Sequence, residues 1–398
     1  MFLIRMLKRS IVDPLKIFIQ DSRAIGIILL FSTFLSLCLA NIDVTQEWYK
    51  QIWLYSFDGT NAHHFNWNIF SLPNSVLLVI NDFFMTLFFF LAGMEIKREF
   101  VEGELASLKQ SALPVVAAIG GMIVPAILYT QFNKGTEYMH GWAVPMATDI
   151  AFTLGVATLL GKRIPISLKI FITALAIIDD LGAILVIALF YGAKIQLWYL
   201  VLSVLLLIIS WLLLKFKVAF GWYNWVLGML LWYCMFNSGI HATVSGVLFA
   251  FTIPTLLLKK IEAQFYPFVY FFIMPVFALA NTAIQFPVNS LAMLNSTYSW
   301  GIVVGLLIGK PLGICMACYL MIKNKLSVLP AHTNWHKMIG AGILAGIGFT
   351  MSIFISTLAF RSTLDQDIAK IAVLITSFFA ILIGFTWLKL EKLKLRRH

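Results

Sequence analysis

Charge is what this sequence has least of. Of its 398 residues, 12% are Asp, Glu, Lys or Arg and 61% are hydrophobic, against roughly 25% charged in soluble domains. A soluble chain of this length would divide into two or three domains, each needing a polar surface, and the charges to cover them are missing. Acidic residues are scarcer than basic ones, 18 against 29, which leaves a net charge of +11. Such an excess suits nucleic acid only when it forms a basic face on a polar element. Here the cations sit in short loops between apolar runs, so nucleic acid is excluded as a partner. Cysteine is sparse too. Cys38, Cys234, Cys315 and Cys318 all lie inside apolar runs, which removes a secreted disulfide framework. Cys315-x-x-Cys318 has no second ligand pair near it and reads as two small residues on one helix face.

What the chain has in quantity is apolar runs of membrane-spanning length, about 20 residues each. Twelve spans are expected, near 24–41, 75–94, 112–131, 141–160, 168–191, 195–214, 219–236, 239–258, 267–286, 298–320, 339–360 and 369–388. The fold class is therefore an all-α polytopic membrane protein, one integral domain over 1–398 with the lipid bilayer as its surroundings. Residues 1–23 mix Arg5, Lys8, Arg9 and Lys16 with Phe2, Leu7, Ile11, Ile17 and Phe18, the pattern of a cytoplasmic interfacial helix and not of a cleavable signal.

Lys and Arg favour the cytoplasmic side of a membrane. With both termini inside, the inner segments hold 23 basic residues and the outer ones five, Lys50, Lys134, Lys194, Arg361 and Lys370. The remaining basic residue, Lys310, falls inside a span. The longest outer segment, 42–74, carries Trp48, Tyr49, Trp53 and Tyr55 ahead of Asp58-Gly59. Aromatic runs around Asp-Gly fit a β-hairpin, and they fit equally an aromatic belt on the membrane surface.

An ionisable side chain at mid-bilayer costs at least about 2.5–3.5 kcal/mol, so such residues usually serve a function. Asp82 lies toward the outer part of the second span. Asp149, Asp179, Asp180 and Lys310 fall near the middles of the fourth, fifth and tenth. A purely structural ion-pair cluster would need one aspartate for Lys310 and would leave two over. Adjacent helix residues point about 100° apart, so one of Asp179 and Asp180 can pair with Lys310 while the other faces a cavity. Hard carboxylate oxygens suit Na⁺ or Li⁺ as they suit other hard cations, and protons compete for the same oxygens. That competition suffices for exchange and calls for no cofactor.

Two spans look interrupted. The fourth contains Pro145, Thr148, Asp149 and Thr153, and the eleventh has Gly340, Gly342, Gly346 and Gly348. Broken helices are tolerated in a membrane where the freed backbone groups line a cavity; close packing through small residues is the other reading of the glycines. The fourth span runs inward and the eleventh outward, so the triplets 112–191 and 298–388 are oppositely oriented, as in an inverted repeat with paired discontinuous helices. Asp149 would offset the positive half-helix ends and Lys310 the negative ones.

The strings Ala147-Thr-Asp-Ile-Ala-Phe152, Ala176-Ile-Ile-Asp-Asp-Leu-Gly-Ala183, Gly309-Lys-Pro-Leu-Gly313, Gly346-Ile-Gly-Phe-Thr-Met-Ser352 and Gly93-Met-Glu-Ile-Lys-Arg-Glu99 resemble the NhaA family of Na⁺/H⁺ antiporters. The resemblance runs over most of the chain in the same order. It implies a bacterial inner-membrane exchanger of Na⁺ or Li⁺ for H⁺, electrogenic and pH-regulated, with twelve helices of which the fourth and eleventh cross as unwound chains. Carried over by position, Asp179 and Asp180 are the cation and proton carriers, with Asp180 favoured as the Na⁺ ligand. Lys310 pairs with Asp179, and Thr148 and Asp149 support the site. Glu95, Arg98, Glu99 and Glu262 match a cytoplasmic pH-sensing region, and His241 a histidine tied to the pH response. The family also implies a homodimer through the outer 42–74 segment. Ala263 and Tyr266 depart from it, standing where its pattern carries histidines.

Other readings lose on composition. An intramembrane aspartyl protease places its aspartates on separate helices, and no Gly-x-Gly-Asp string is present, so no enzyme is expected. Gly305 to Lys310 is one residue short of a phosphate loop and lacks the following Ser or Thr. An ion channel or an organic-anion symporter of similar fold is the alternative. A single buried acid/base cluster suits alternating access better than a continuous pore.

Overall fold

Proline, glycine and loop charges set the helix ends in the computed structural model, which describes residues 22–60, 63–67, 70–192, 194–286 and 294–395. Of the N-terminal stretch 1–23, all but Ser22 and Arg23 lie outside the described residues. The chain opens with α1 (Ser22–Asn41), the short α2 (Gln46–Leu54) and a hairpin of β1 (His64–Trp67) and β2 (Phe70–Pro73). Then come α3 (Val76–Val101), α4 (Leu108–Phe132), the 3₁₀-wound α5 (Glu137–Met146), α6 (Ile150–Leu159), α7 (Ile166–Phe190) and α8 (Leu197–Lys215). The second half holds α9 (Trp222–Ser238), α10 (Val244–Ala250), α11 (Thr255–Asn281), α12 (Thr297–Lys323), α13 (Trp335–Ala345), α14 (Phe349–Ala359) and α15 (Thr363–Leu395).

Among the described residues eight helices are long and apolar enough to cross a membrane, and two further pairs qualify together. Those pairs, α5 with α6 and α13 with α14, bend by 41° and 45° at their breaks. The protein is thus mostly helical and polytopic, with eight to ten candidate spans. The expected eighth span, 239–258, differs most from the structure. It holds the seven-residue α10 and the first four residues of α11, because Gly239 turns the chain at φ 87° and Pro254 resets it before α11. Consequently α11 starts twelve residues ahead of the expected ninth span.

Small residues let backbones touch. A Cβ on Gly313 would stand 2.1 Å from the Gly120 carbonyl oxygen, and one on Gly120 would stand 2.4 Å from the Gly313 oxygen, so α4 and α12 lie in direct contact. Gly246 of α10 meets the Thr86 carbonyl of α3 in the same way. Close approach through small residues is how membrane helices gain van der Waals packing where lipid supplies no hydrophobic drive. Three long helices also carry one wide π turn each: Val79–Phe84 in α3, Val269–Ile273 in α11 and Gly305–Gly309 in α12. Asp82 and Tyr270 lie within such turns, and Lys310 directly follows one. Single π turns inside α-helices often mark functional sites.

The outer segment contains a hairpin, but Asp58-Gly59 is not its turn. The strands pair His64 with Pro73 through Trp67 with Phe70. The aromatic run ahead of Asp58 is helical instead: Tyr49 is buried on α2, and its hydroxyl meets Ser36 Oγ at 2.9 Å and donates to the Leu279 carbonyl at 3.0 Å. Asp58 Oδ1 gathers donors from Thr60 N (2.8 Å), Thr60 Oγ1 (2.7 Å), Asn74 Nδ2 (2.7 Å) and Ser56 Oγ (3.1 Å). These donors hold its carboxyl down at about 2. A depressed acid stabilises the loop above its ordinary range near 3.9, and that contribution is lost as pH falls through about 2. Asp58→Ala should therefore speed amide exchange at Thr60 at neutral pH, while exchange in the transmembrane helices stays unchanged.

Candidate functional site

The two bends face each other, and their freed backbone groups are shared between them. Asp149 N donates to the Ile347 carbonyl at 2.7 Å. Thr148 Oγ1 donates to the Ala345 carbonyl at 2.9 Å, Thr153 Oγ1 to Leu344 at 3.2 Å and Ser352 Oγ to Val144 at 2.7 Å. Broken helices in an apolar interior need such replacements, since an unpaired buried amide or carbonyl costs several kcal/mol.

Helix ends of like sign meet here. Asp149 caps α6, accepting from Phe152 N at 3.1 Å through Oδ1. Its Oδ2 accepts from Thr350 N at 3.1 Å and from the Thr350 hydroxyl at the start of α14. One carboxylate therefore offsets the partial positive charge of two helix N-termini. At the opposite ends Lys310 Nζ donates to the Met146 carbonyl, where α5 stops.

Lys310 also forms an ion pair with Asp179 Oδ2 at 2.9 Å, with both side chains wholly buried. Thr148 Oγ1 donates to that same oxygen at 2.7 Å. Asp179 thus spends Oδ2 on Lys310 and Thr148, and its Oδ1 is buried without a hydrogen-bond partner. Asp180, one residue on, is turned away. Its Oδ1 is likewise buried and unpartnered, and its side chain lines a narrow cleft with Glu95, Asp149, Tyr270 and Thr350, with room for water of only about 10 Å³. Burying a carboxylate oxygen without a partner is costly; Asp179 meets part of that cost through Lys310 and Thr148, whereas Asp180 faces the cleft.

The remaining sequence candidates divide between two ends of α3. Arg98 pairs with Glu262, and its Nη2 lies 3.4 Å from Glu99 Oε1, beneath the cleft that Glu95 lines. Tyr266 sets its ring 4.6 Å from that of Tyr270. His241 belongs elsewhere: its Nε2 is 3.7 Å from Asp82 Oδ1, and Asp82 precedes Glu95 by thirteen residues, roughly 20 Å of helix. Between the two ends α14 passes Phe354, fully buried against Phe89 and Phe277. Sequence reading passed over Thr350, although it sits inside a quoted motif, and over Tyr270, for which the sequence offers no signal.

A polytopic membrane protein that buries one lysine and three aspartates where two bent helix pairs meet has the build of a secondary ion transporter. The chain belongs to the Na⁺/H⁺ antiporter 1 family, whose profile matches residues 16–388. It is 44% identical over 384 residues to the Na⁺/H⁺ antiporter NhaA of Shigella dysenteriae, covering 94% of this chain and 97% of the relative. The NhaA of Tolumonas auensis is 43% identical over 386 residues, 95% of each chain. That of Pelagibacter ubique is 41% identical over 386 residues, 95% of this chain and 97% of its own.

Proposed function

We propose that this protein exports Na⁺, and Li⁺ in its place, in exchange for protons, with Asp180 and Asp179 as the carriers. The observation that carries the reading is the division of labour in the adjacent pair: Lys310 and Thr148 occupy Asp179 Oδ2, while Asp180 faces the cleft with Asp149 and Thr350. A carboxylate kept free of hydrogen-bond donors accepts either a proton or a small hard cation, and not both at once. Protons enter from outside, access switches, and Na⁺ from the cytoplasm displaces them. If the Asp179–Lys310 pair releases a second proton in the same cycle, two protons move per Na⁺ and transport is electrogenic.

In this reading the twelve-span count stands, with α9 and the 239–258 stretch crossing alongside the ten candidates, and the bent pairs are discontinuous helices of two inverted repeats, 112–191 and 298–388. The repetition of long helix, bent pair and long helix (α4 to α7, α12 to α15) supports it. The excess of inner-loop Lys and Arg supports cytoplasmic termini in a bacterial inner membrane. Glu95, Arg98, Glu99 and Glu262 form the cytoplasmic group that answers to pH, at the mouth of the Asp180 cleft. The outer 42–74 segment is the proposed homodimer contact. Phe89, Phe277 and Phe354 pack together between the cleft and the outer face and form an aromatic barrier there.

The test is proton flux in proteoliposomes holding an internal pH dye, on addition of Na⁺, Li⁺ or K⁺. Flux with Na⁺ and Li⁺ but not K⁺ is expected. No Na⁺-dependent flux anywhere between about pH 6 and 9, the range in which a titrating exchanger must work, would sink the proposal.

A further inference from the structure

The buried acid that the exchange mechanism leaves unused is Asp82. It lies in the π turn of α3, 4% exposed, and its carbonyl accepts from Trp232 Nε1 at 3.1 Å and from Thr86 Oγ1 at 2.5 Å. Its carboxylate is bracketed by imidazoles from two separate segments. His63, just before β1, places Nε2 3.6 Å from Oδ2, and His241, in the α9–α10 connection, places Nε2 3.7 Å from Oδ1. Asp82 Oδ2 accepts no hydrogen bond, so both gaps await a small ring movement or a water to become proton-transfer distances. The three side chains line a cavity of about 510 Å³ open to solvent.

Exposure is graded along the cluster. The His63 side chain is 53% exposed, that of His241 12% and that of Asp82 6%. Each ring is also held in place. His63 stacks on Phe236 with centroids 5.6 Å apart, and His241 Nδ1 lies 3.1 Å from Thr243 Oγ1. The His241 ring then meets Phe354 edge-on at 5.3 Å. Phe354 is midway along α14, whose Thr350 and Met351 line the Asp180 cleft while Thr357 and Leu358 line the outer cavity.

We propose that His63, Asp82 and His241 form a second protonatable station, which collects protons at the outer mouth and delivers them to the aromatic barrier above Asp180. The outer hairpin is then part of the transport path, since it supplies the first acceptor. A proton from bulk water binds the His63 imidazole, passes to the Asp82 carboxylate as His63 returns to neutral, and moves on to His241; no other bond forms or breaks. The other titratable or charged groups facing the cluster are His64 on the hairpin and Tyr191 and Lys194 before α8. His64 turns its Nδ1 to Ser71 Oγ at 3.0 Å, and Lys194 lines the cavity beside Tyr191.

The inference rests on the exchanger reading, and its test separates the two. Exchange is measured in oriented proteoliposomes while outer pH is varied at fixed inner pH, and the reverse. His63→Gln should move the outer-pH profile about one unit toward acid, the scale of an ionic contact near 4 Å in a water-like medium, and leave the inner-pH profile in place. His64→Gln should shift neither. In solution NMR, Asp82→Asn should lower the His63 titration midpoint, because the imidazolium loses its counter-charge. A His63→Gln profile that superimposes on the unaltered protein, equal shifts from both histidine variants, or a His63 midpoint indifferent to Asp82→Asn would each overturn the station. Absence of flux in the unaltered protein would instead overturn the exchanger reading, with the NMR coupling still deciding whether His63 and Asp82 share a proton.

Discussion

Asp180→Asn is expected to abolish Na⁺-dependent proton movement while leaving the protein folded and inserted. The amide keeps the volume of the carboxyl, so the packing around α7 is undisturbed, but it can neither carry a proton nor present a full negative charge. Loss of one ligating charge, at about 3 kcal/mol, weakens cation binding on the order of a hundredfold. Loss of the titrating proton removes the coupling altogether. The same change should leave thermal stability equal or higher, because an uncharged group replaces a carboxylate whose Oδ1 is buried without a partner. Flux and melting temperature measured on one preparation make the result decisive. Near-normal exchange would move the carrier to another residue.

Lys310→Ala should act in the opposite sense on stability. It strands Asp179, whose Oδ2 then keeps only the Thr148 hydroxyl, and it leaves the Met146 carbonyl at the end of α5 without its cation. Breaking a fully buried ion pair from one side costs about 3–5 kcal/mol, whereas replacing both partners with neutral groups of similar volume is often near neutral. Lys310→Met combined with Asp179→Asn should therefore recover most of the stability that Lys310→Ala loses. A double-mutant cycle on detergent-solubilised protein reads this directly, since residues in contact are non-additive. If Lys310→Ala melts with the unaltered protein, the pair does not hold the two segments together.

The functional centre was legible because charge is rare in this sequence. Asp149, Asp179, Asp180 and Lys310 stand out against apolar neighbours whatever the helix boundaries, and Pro145 and the glycines at 340–348 announce that two spans cannot run straight. The outer mouth was harder to read. His63 is one polar residue just ahead of a hairpin, and only the stacking of its ring on Phe236 brings it to Asp82. Asp58-Gly59 carries the composition of a tight turn, yet the Asp58 side chain closes a loop of its own, and the hairpin begins five residues later at His64. Trp48, Tyr49 and Trp53 fit a hairpin or a surface aromatic belt equally by composition, yet Tyr49 and Trp53 are also one helical turn apart, and burial of Tyr49 against Ser36 decides for the helix. In the expected eighth span, hydropathy masked the turn at Gly239 and the stop at Pro254. The π turns have no composition of their own, since they arise from packing between helices.

Asp149 has a further consequence, for motion. One carboxylate grips the first turns of two half-helices that are two hundred residues apart in sequence, and four hydrogen bonds between the broken segments hold the same crossing. Sliding either segment alone would tear these contacts, so α5, α6, α13 and α14 share a single set of rigid-body coordinates. A switch of access then has few degrees of freedom to search. Displacing any one of the four half-helices loads the other three, so the crossing answers to a change on either side as one body.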